Sequence, residues 1–286
     1  MLSPTSIAAW IFTTRYQSRN VKISSGINLN IGARSRLGIV RQATNKGLWV
    51  ALSLIGIWAT STAILFSLDL AQLPSWVKFG GFAWQMFLYV GLFVTAHDGM
   101  HGSIAPANRK LNDAIGSFVL FVYAMFPFAK MRQMHDLHHD IPARHGDPDF
   151  HNGKRRNFFA WYFNFMQNYW SWVRLGLLIL TFHAVHQVLH VPESNLSWFW
   201  VFPSVMSSFQ LFLFGTFLPH REPVDGYVNE CRATSTPFSE LWSFLSCYHF
   251  GYHEEHHDLP HLGWWQLPAA RRLRLSKETS HQPSRP

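Results

Sequence analysis

Four long apolar runs, at residues 48–68, 79–96, 172–191 and 196–218, are separated by polar stretches rich in histidine and basic residues. Each run is close to the roughly 20 residues an α-helix needs to cross the hydrocarbon core of a bilayer. The pattern predicts an all-α integral membrane bundle of about four transmembrane helices. A fifth apolar run, 115–129, is short for a span and reads as an interfacial or re-entrant helix. Lys78 falls just outside the second run, and Arg174 lies near enough the end of the third for its guanidinium to reach the interface.

The charges fix an expected orientation. Arg15, Arg19, Lys22, Arg34, Arg36, Arg41 and Lys46 precede the first acidic residue, Asp69, and the segments 97–170 and 219–286 hold nearly all the other Lys and Arg. The connections near 70–78 and 192–195 carry only Lys78. Short loops rich in Lys and Arg stay on the cytoplasmic side, so both termini and both long polar segments are expected there. Residues 1–47 read as a basic cytoplasmic tail, because no long apolar core runs into a small-residue cleavage site. Residues 48–270 read as the membrane domain and 271–286 as a basic polar C-terminal tail.

Composition supports the membrane reading. Charged residues make up 14% of the chain, against about 25% in ordinary soluble domains, while aromatics reach 16%. The net charge of +8 is therefore a matter of topology, and no nucleic-acid partner is expected. Cys231 and Cys247 form no CxxC pair, so neither a disulfide framework nor a thiolate metal site is expected.

The chemistry lies in three histidine clusters at the edges of the apolar runs. They are His97-Asp98-Gly99-Met100-His101, His135-Asp136-Leu137-His138-His139 and His253-Glu254-Glu255-His256-His257. On a helix, residues three and four apart share a face, so each cluster is expected to aim its imidazoles at one point. Eight imidazoles are too many for one tetrahedral zinc, and imidazole also suits iron and copper. Two metal ions sharing one cage is the economical reading. The predicted orientation puts all three clusters at the cytoplasmic interface. His220, leaving the fourth apolar run at the same depth, is the candidate ninth ligand. His249 lies four residues before His253 on what reads as one helix through 247–257, and His145, His151 and His261 are further candidates. His183, His186 and His190 recur at helical spacing inside the third run and are read as packing residues outside the metal site.

At these residues the chain resembles the membrane di-iron oxygenases and desaturases, which carry one HxxxH-type box and two HxxHH boxes. Within that superfamily it is similar to the bacterial-type β-carotene ketolases. The likeness rests on His97-Asp-Gly-Met-His-Gly102, Gly146-Asp-Pro-Asp-Phe-His-Asn-Gly153, Asn157-Phe-Phe-Ala-Trp-Tyr162, Phe214-Gly-Thr-Phe-Leu-Pro-His220, and Cys247-Tyr-His-Phe-Gly-Tyr-His-Glu-Glu-His-His257 with the following Pro260-His261 and Trp264-Trp-Gln-Leu-Pro268. It covers about residues 48–270 and says nothing about the first 47.

The resemblance implies two iron ions held by His97, His101, His135, His138, His139, His253, His256 and His257, with O2 as co-substrate. It implies oxidation of the allylic carbon 4 of a β-ionone ring to a ketone, giving echinenone- or canthaxanthin-type products, through two hydroxylations and loss of water. Electrons would come from an external donor such as a ferredoxin, since no Gly-rich nucleotide motif is visible. Asp98, Asp147 and Asp149 are the acids expected to orient ligands or handle protons, with helix capping or ion pairing as the alternative for each. Glu254 and Glu255 are read as pointing away from the metals. A ring hydroxylase or a fatty-acid desaturase would carry the same boxes. A histidine-rich metal transporter should instead place its ligands near the bilayer midplane. A pigment-binding protein without turnover leaves the box spacing unexplained.

Overall fold

The computed structural model describes residues 45–151 and 153–281. The basic tail expected at 1–47 lies almost wholly outside them, as do residues 282–286. Among the described residues the chain is helical with no strand. Four helices are long and apolar enough to cross a membrane: α1 (Lys46–Ser67), α2 (Ser75–Met100), α6 (Trp172–Leu189) and α7 (Glu193–His220). They coincide with the four predicted runs to within a few residues.

Helix α2 is the centre of the bundle. Leu88, Tyr89, Val90, Leu92, Val94 and Ala96 are all buried, so this stretch is covered on every side instead of along one stripe. Its polar interruption is matched by its neighbour, since the buried Gln85 amide donates to Ser61 and Thr62 of α1. One turn further on, at the C-terminal end of α1, the Asn195 side chain donates to the carbonyls of Leu65 and Leu68, which fastens the start of α7 to orphan acceptors of the α1 terminus.

The short fifth run becomes a bent pair. Helix α3 (Arg109–Ala124), capped by the Asn108 side chain, descends along α2 until Tyr123 meets Tyr89 and Phe93. Met125 takes a left-handed conformation, Pro127 follows, and α4 (Phe128–Asp140) leaves at 99°. Arg132 of α4 pairs with Asp113 of α3 at 2.9 Å, so α4 folds back towards the end from which α3 started. That fold brings the second histidine cluster next to the first.

Helix α7 contains two π-helical turns, at Ser197–Val201 and Leu213–Phe217. Each lies just before a proline, Pro203 or Pro219. Proline removes the amide that would bond the carbonyl four residues back, at 199 or 215, and both of those positions fall inside the wide turns. The second widening changes the phase of the last turn and presents His220 to the interior.

After α5 (Phe158–Asn168) and the spans come α8 (Glu240–Cys247), α9 (His253–Asp258) and α10 (Leu267–His281). The single helix expected through 247–257 is broken. Tyr248 and His249 have φ of 47° and 60°, and their amides close back on Phe244 and Ser243 as a helix C-cap. The Tyr248 ring then stacks on Phe87 at 4.5 Å between centroids. Packing of that ring against α2 overrides local helix propensity, and His249 consequently does not share a face with His253. Helix α10 runs through residue 270 without interruption.

Candidate metal centre

The nine predicted histidines converge at one end of the bundle and sort into two groups. His97, His101, His135, His139 and His256 form the first, and His138, His220, His253 and His257 the second; within each group the ligand atoms lie within 4.8 Å of one another. The clusters therefore do not each aim at one point. Adjacent helical residues diverge by about 100°. His138 goes to the second group and His139 to the first, while His256 goes to the first and His257 to the second. The paired histidine of each HxxHH box straddles two centres. His139 and His257 stack at 4.2 Å where the groups adjoin.

Nitrogen geometry fits two metal ions. Nε2 atoms approach in pairs, His101 to His135 at 2.8 Å, His139 to His256 at 3.0 Å and His253 to His257 at 3.2 Å. Neutral imidazoles are the ligand form, and the surroundings favour it for most of these rings. His138 is the exception, since its burial is outweighed by the Asp147 carboxylate, which raises its pKa. Burial, aided by the neighbouring imidazoles, holds His253, His256 and His257 well below the ordinary histidine range, and His101 falls to about 4. His220 donates Nδ1–H to the Arg232 carbonyl at 2.9 Å, which leaves its buried Nε2 as a bare acceptor without a hydrogen-bond partner. Both ring nitrogens of His97 are likewise buried and unpartnered. Buried polar atoms without partners are rare unless something else binds them, and a ligand shell around metal supplies that partner.

The three acids divide. Asp147 grips His138 Nδ1 with both carboxylate oxygens at 3.0 Å, and it is itself held by the amides of Ala143 and Asp149. This carboxylate–histidine pair fixes the tautomer and aims Nε2 into the second group. Asp98 accepts the Trp264 amide at 2.9 Å and lies 3.6 Å from His97 Nδ1. Asp149 accepts from the Tyr169 hydroxyl instead of a histidine; burial raises its pKa to about 6. The conservative variant Asp147→Asn is expected to weaken metal binding in the second group by about 10- to 100-fold with the helical content unchanged. Metal titration of the purified protein checks this, and an unaltered affinity would make Asp147 a loop-capping residue only.

His145, His151, His249 and His261 belong to neither group. His151 accepts the Gly153 amide, and His249 lies face to face with Tyr252 at 5.5 Å. His186 spends its Nδ1 on the Val191 carbonyl at the end of α6. Sequence reasoning missed Glu255. It is buried, and Ser235, Arg271 and Arg274 all donate to it. Two arginines one turn into a basic C-terminal stretch were the available signal.

Beside the metal groups opens an apolar cavity of about 550 Å³. His97, His135, His138 and His253 form its polar end, with Phe250, Gly215 and Thr216 beside them. Gly215 is there because nothing larger fits: a Cβ would sit 2.2 Å from the Phe250 ring, which in turn packs edge-on against His97 at 4.7 Å. Gly215→Val is expected to drive Phe250 towards His97 and the cavity. Overpacking of this kind costs about 1–3 kcal/mol. Turnover should fall at least about tenfold while the protein still inserts and binds metal; unchanged kinetics would show that Phe250 has room to move.

The family model for fatty acid desaturases matches residues 74–187 and 166–283, a stretch that contains every residue of both histidine groups. The chain belongs to the fatty acid desaturase family. Among relatives in this family is a β-carotene ketolase of Paracoccus sp. strain N81106, 40% identical over 225 residues that cover 78% of this chain and 87% of the relative. A β-carotene 4-ketolase of Haematococcus lacustris is 36% identical over 261 residues, covering 80% and 79%. A zeaxanthin 4-ketolase of Chlamydomonas reinhardtii is 35% identical over 243 residues, covering 79% of this chain and 53% of its own. No solved structure matches significantly. Membership in this desaturase family makes the chain an oxidoreductase, and the histidine groups are consistent with the two-metal site expected of it.

Proposed function

We propose that this protein is a β-carotene 4-ketolase, oxidising the allylic CH2 at carbon 4 of a β-ionone ring to a ketone with O2. The observation that carries the reading is the pairing of two buried imidazole groups with a long apolar cavity that ends on them. The similarity to ketolases over most of both chains supports the substrate class. Each of two hydroxylations consumes one O2, two electrons and two protons and releases one water. The resulting geminal diol loses a further water to leave the ketone.

His97, His101, His135, His139 and His256 would hold one iron and His138, His220, His253 and His257 the other. Iron supplies the redox capacity for O2 activation that zinc lacks. The chain's own part is positioning. Asp147 and the Arg232 carbonyl orient His138 and His220, and the apolar walls exclude water from the ring that reacts. A water-insoluble polyene partitions into the bilayer and can enter from the side. The site and both termini face the cytoplasm by the distribution of Lys and Arg, where a soluble electron-transfer protein reaches them.

Pigment analysis after expression in a bacterium that makes β-carotene tests the reading. Ketones with the mass gain of CH2 to C=O are the expected products. An alcohol as terminal product would make the protein a ring hydroxylase, and unaltered β-carotene with iron-loaded protein would refute β-carotene as the substrate.

A further inference from the structure

Helix α6 is a spanning helix with no buried residue. Its Arg174, Leu178 and Phe182 recur every four positions, Leu175, Ile179 and His183 do the same beside them, and all six line the cavity. This face packs against space that a ligand would fill. Across from it the cavity follows α7 from Thr216 back to Ser197, on the order of 28 Å of helix at 1.5 Å per residue. That is nearly the thickness of the hydrocarbon core. The cavity therefore accepts a rod with one end at the histidine groups and the other deep in the membrane.

The deep end is not apolar throughout. Phe182 stacks with Trp200 at 6.3 Å, which fixes the level at which α6 and α7 meet, and His183 lines the cavity there together with Ser197 and Ser204. From Trp200 to Thr216 is about 24 Å along α7, so His183 is remote from the metal groups. His183 is exposed among the protein's own atoms, and among the described residues neither of its ring nitrogens has a hydrogen-bond partner; its ring meets the edge of Phe182 at 5.5 Å. His186, one turn on, differs in having its Nδ1 satisfied at the helix end. A histidine in mid-span with no partner is costly unless a ligand uses it.

We propose that His183 is the contact for an oxygen on the far ring of the substrate. The inference rests on the ketolase reading. With one ring at the histidine groups, the other lies at His183. β-Carotene has only hydrocarbon to offer there, and the ring nitrogens stay unpaired. A monoketone that has turned end for end places its C=O within reach of the His183 N–H, and a ring hydroxyl would engage the same group and Ser204. His183 thus favours rebinding of the half-finished product and carries the reaction to the second ring.

The test compares the purified, iron-loaded wild type with His183→Leu and His183→Gln, using β-carotene and its monoketone as separate substrates with a fixed electron donor. His183→Leu is expected to lower the ratio of kcat/KM for monoketone over β-carotene by about 3- to 10-fold, the effect of one net hydrogen bond, through KM and not kcat. His183→Gln retains an N–H donor and should restore most of the ratio. In cells the leucine variant should accumulate monoketone at the expense of diketone. An unchanged ratio in the leucine variant, or an equal loss with both substrates, overturns the role of His183. Failure of the wild type to make any ketone from β-carotene is a separate result that removes the ketolase reading and this inference with it.

Discussion

His138→Ala is expected to yield an inserted, helical protein that has lost the metal of the second group and all measurable turnover. His138 is 2% exposed and is one of four histidines in that group, with His220 and His257 rings at 4.7 and 5.1 Å. Its removal leaves three histidines in the group and takes from the buried Asp147 the ring it faced, so that only the amides of Ala143 and Asp149 still donate to that carboxylate. A buried carboxylate that loses its histidine partner is costly even with two amides retained, so the turn 141–151 should loosen as well. The loss of turnover should exceed the roughly 100-fold reached by changes one step away from a ligand. Iron analysis should fall from about two to about one per chain, because the first group keeps its five histidines. His249→Ala is the control. It lies close to His253 in sequence but outside both groups, and should retain both irons. Normal iron and turnover in His138→Ala would dismiss the two-centre assignment.

That contrast marks where the sequence was legible. The four spans could be read because membrane burial demands about 20 apolar residues whatever the tertiary fold. That the nine histidines would gather in one place could be read from the spacing of the three clusters and from His220 at the end of the last span. Their division into five and four could not, since it depends on α4 and α9 facing each other across the bundle. Nor could the break at Tyr248 and His249, where a ring stacked on Phe87 decides the backbone. The wide turns in α7 had a local cause in Pro203 and Pro219, but local sequence does not say whether a proline kinks a helix or widens it. The cavity was hidden for a different reason. An apolar face that lines a ligand space has the same periodicity as one that packs against a helix, so Leu175, Leu178 and Phe182 look like core until α6 is seen to bury none of them.

Glu255 shows the same limit for charge, and it carries the second large effect. Flanked by candidate ligand histidines, it reads only as pointing away from the metals, and the sequence does not say towards what; its side chain is 2% exposed and accepts Arg274 Nε at 2.8 Å and Arg271 at 3.3 Å, with the Ser235 hydroxyl on its other oxygen. Both arginines belong to α10, and Glu255 belongs to the six-residue α9 that carries three of the nine clustered histidines. So short a helix has little stability of its own and holds its place through tertiary contacts. Glu255→Ala removes the acid from beneath two guanidinium groups. Breaking a buried pair costs about 3–5 kcal/mol, and the low end applies because both arginines keep some access to water. A loss of about 3 kcal/mol in a protein of this size lowers Tm by roughly 6–12 °C. Iron should be lost in the same transition, since His253, His256 and His257 move with α9. Glu254→Ala is the informative comparison. Glu254 pairs with Arg274 at 3.3 Å from a more exposed position, and a pair of that kind contributes at most about 1 kcal/mol. Thermal unfolding in detergent, followed with iron release, separates the two acids; equal shifts for Glu254 and Glu255 would mean that α10 does not anchor the ligand helix.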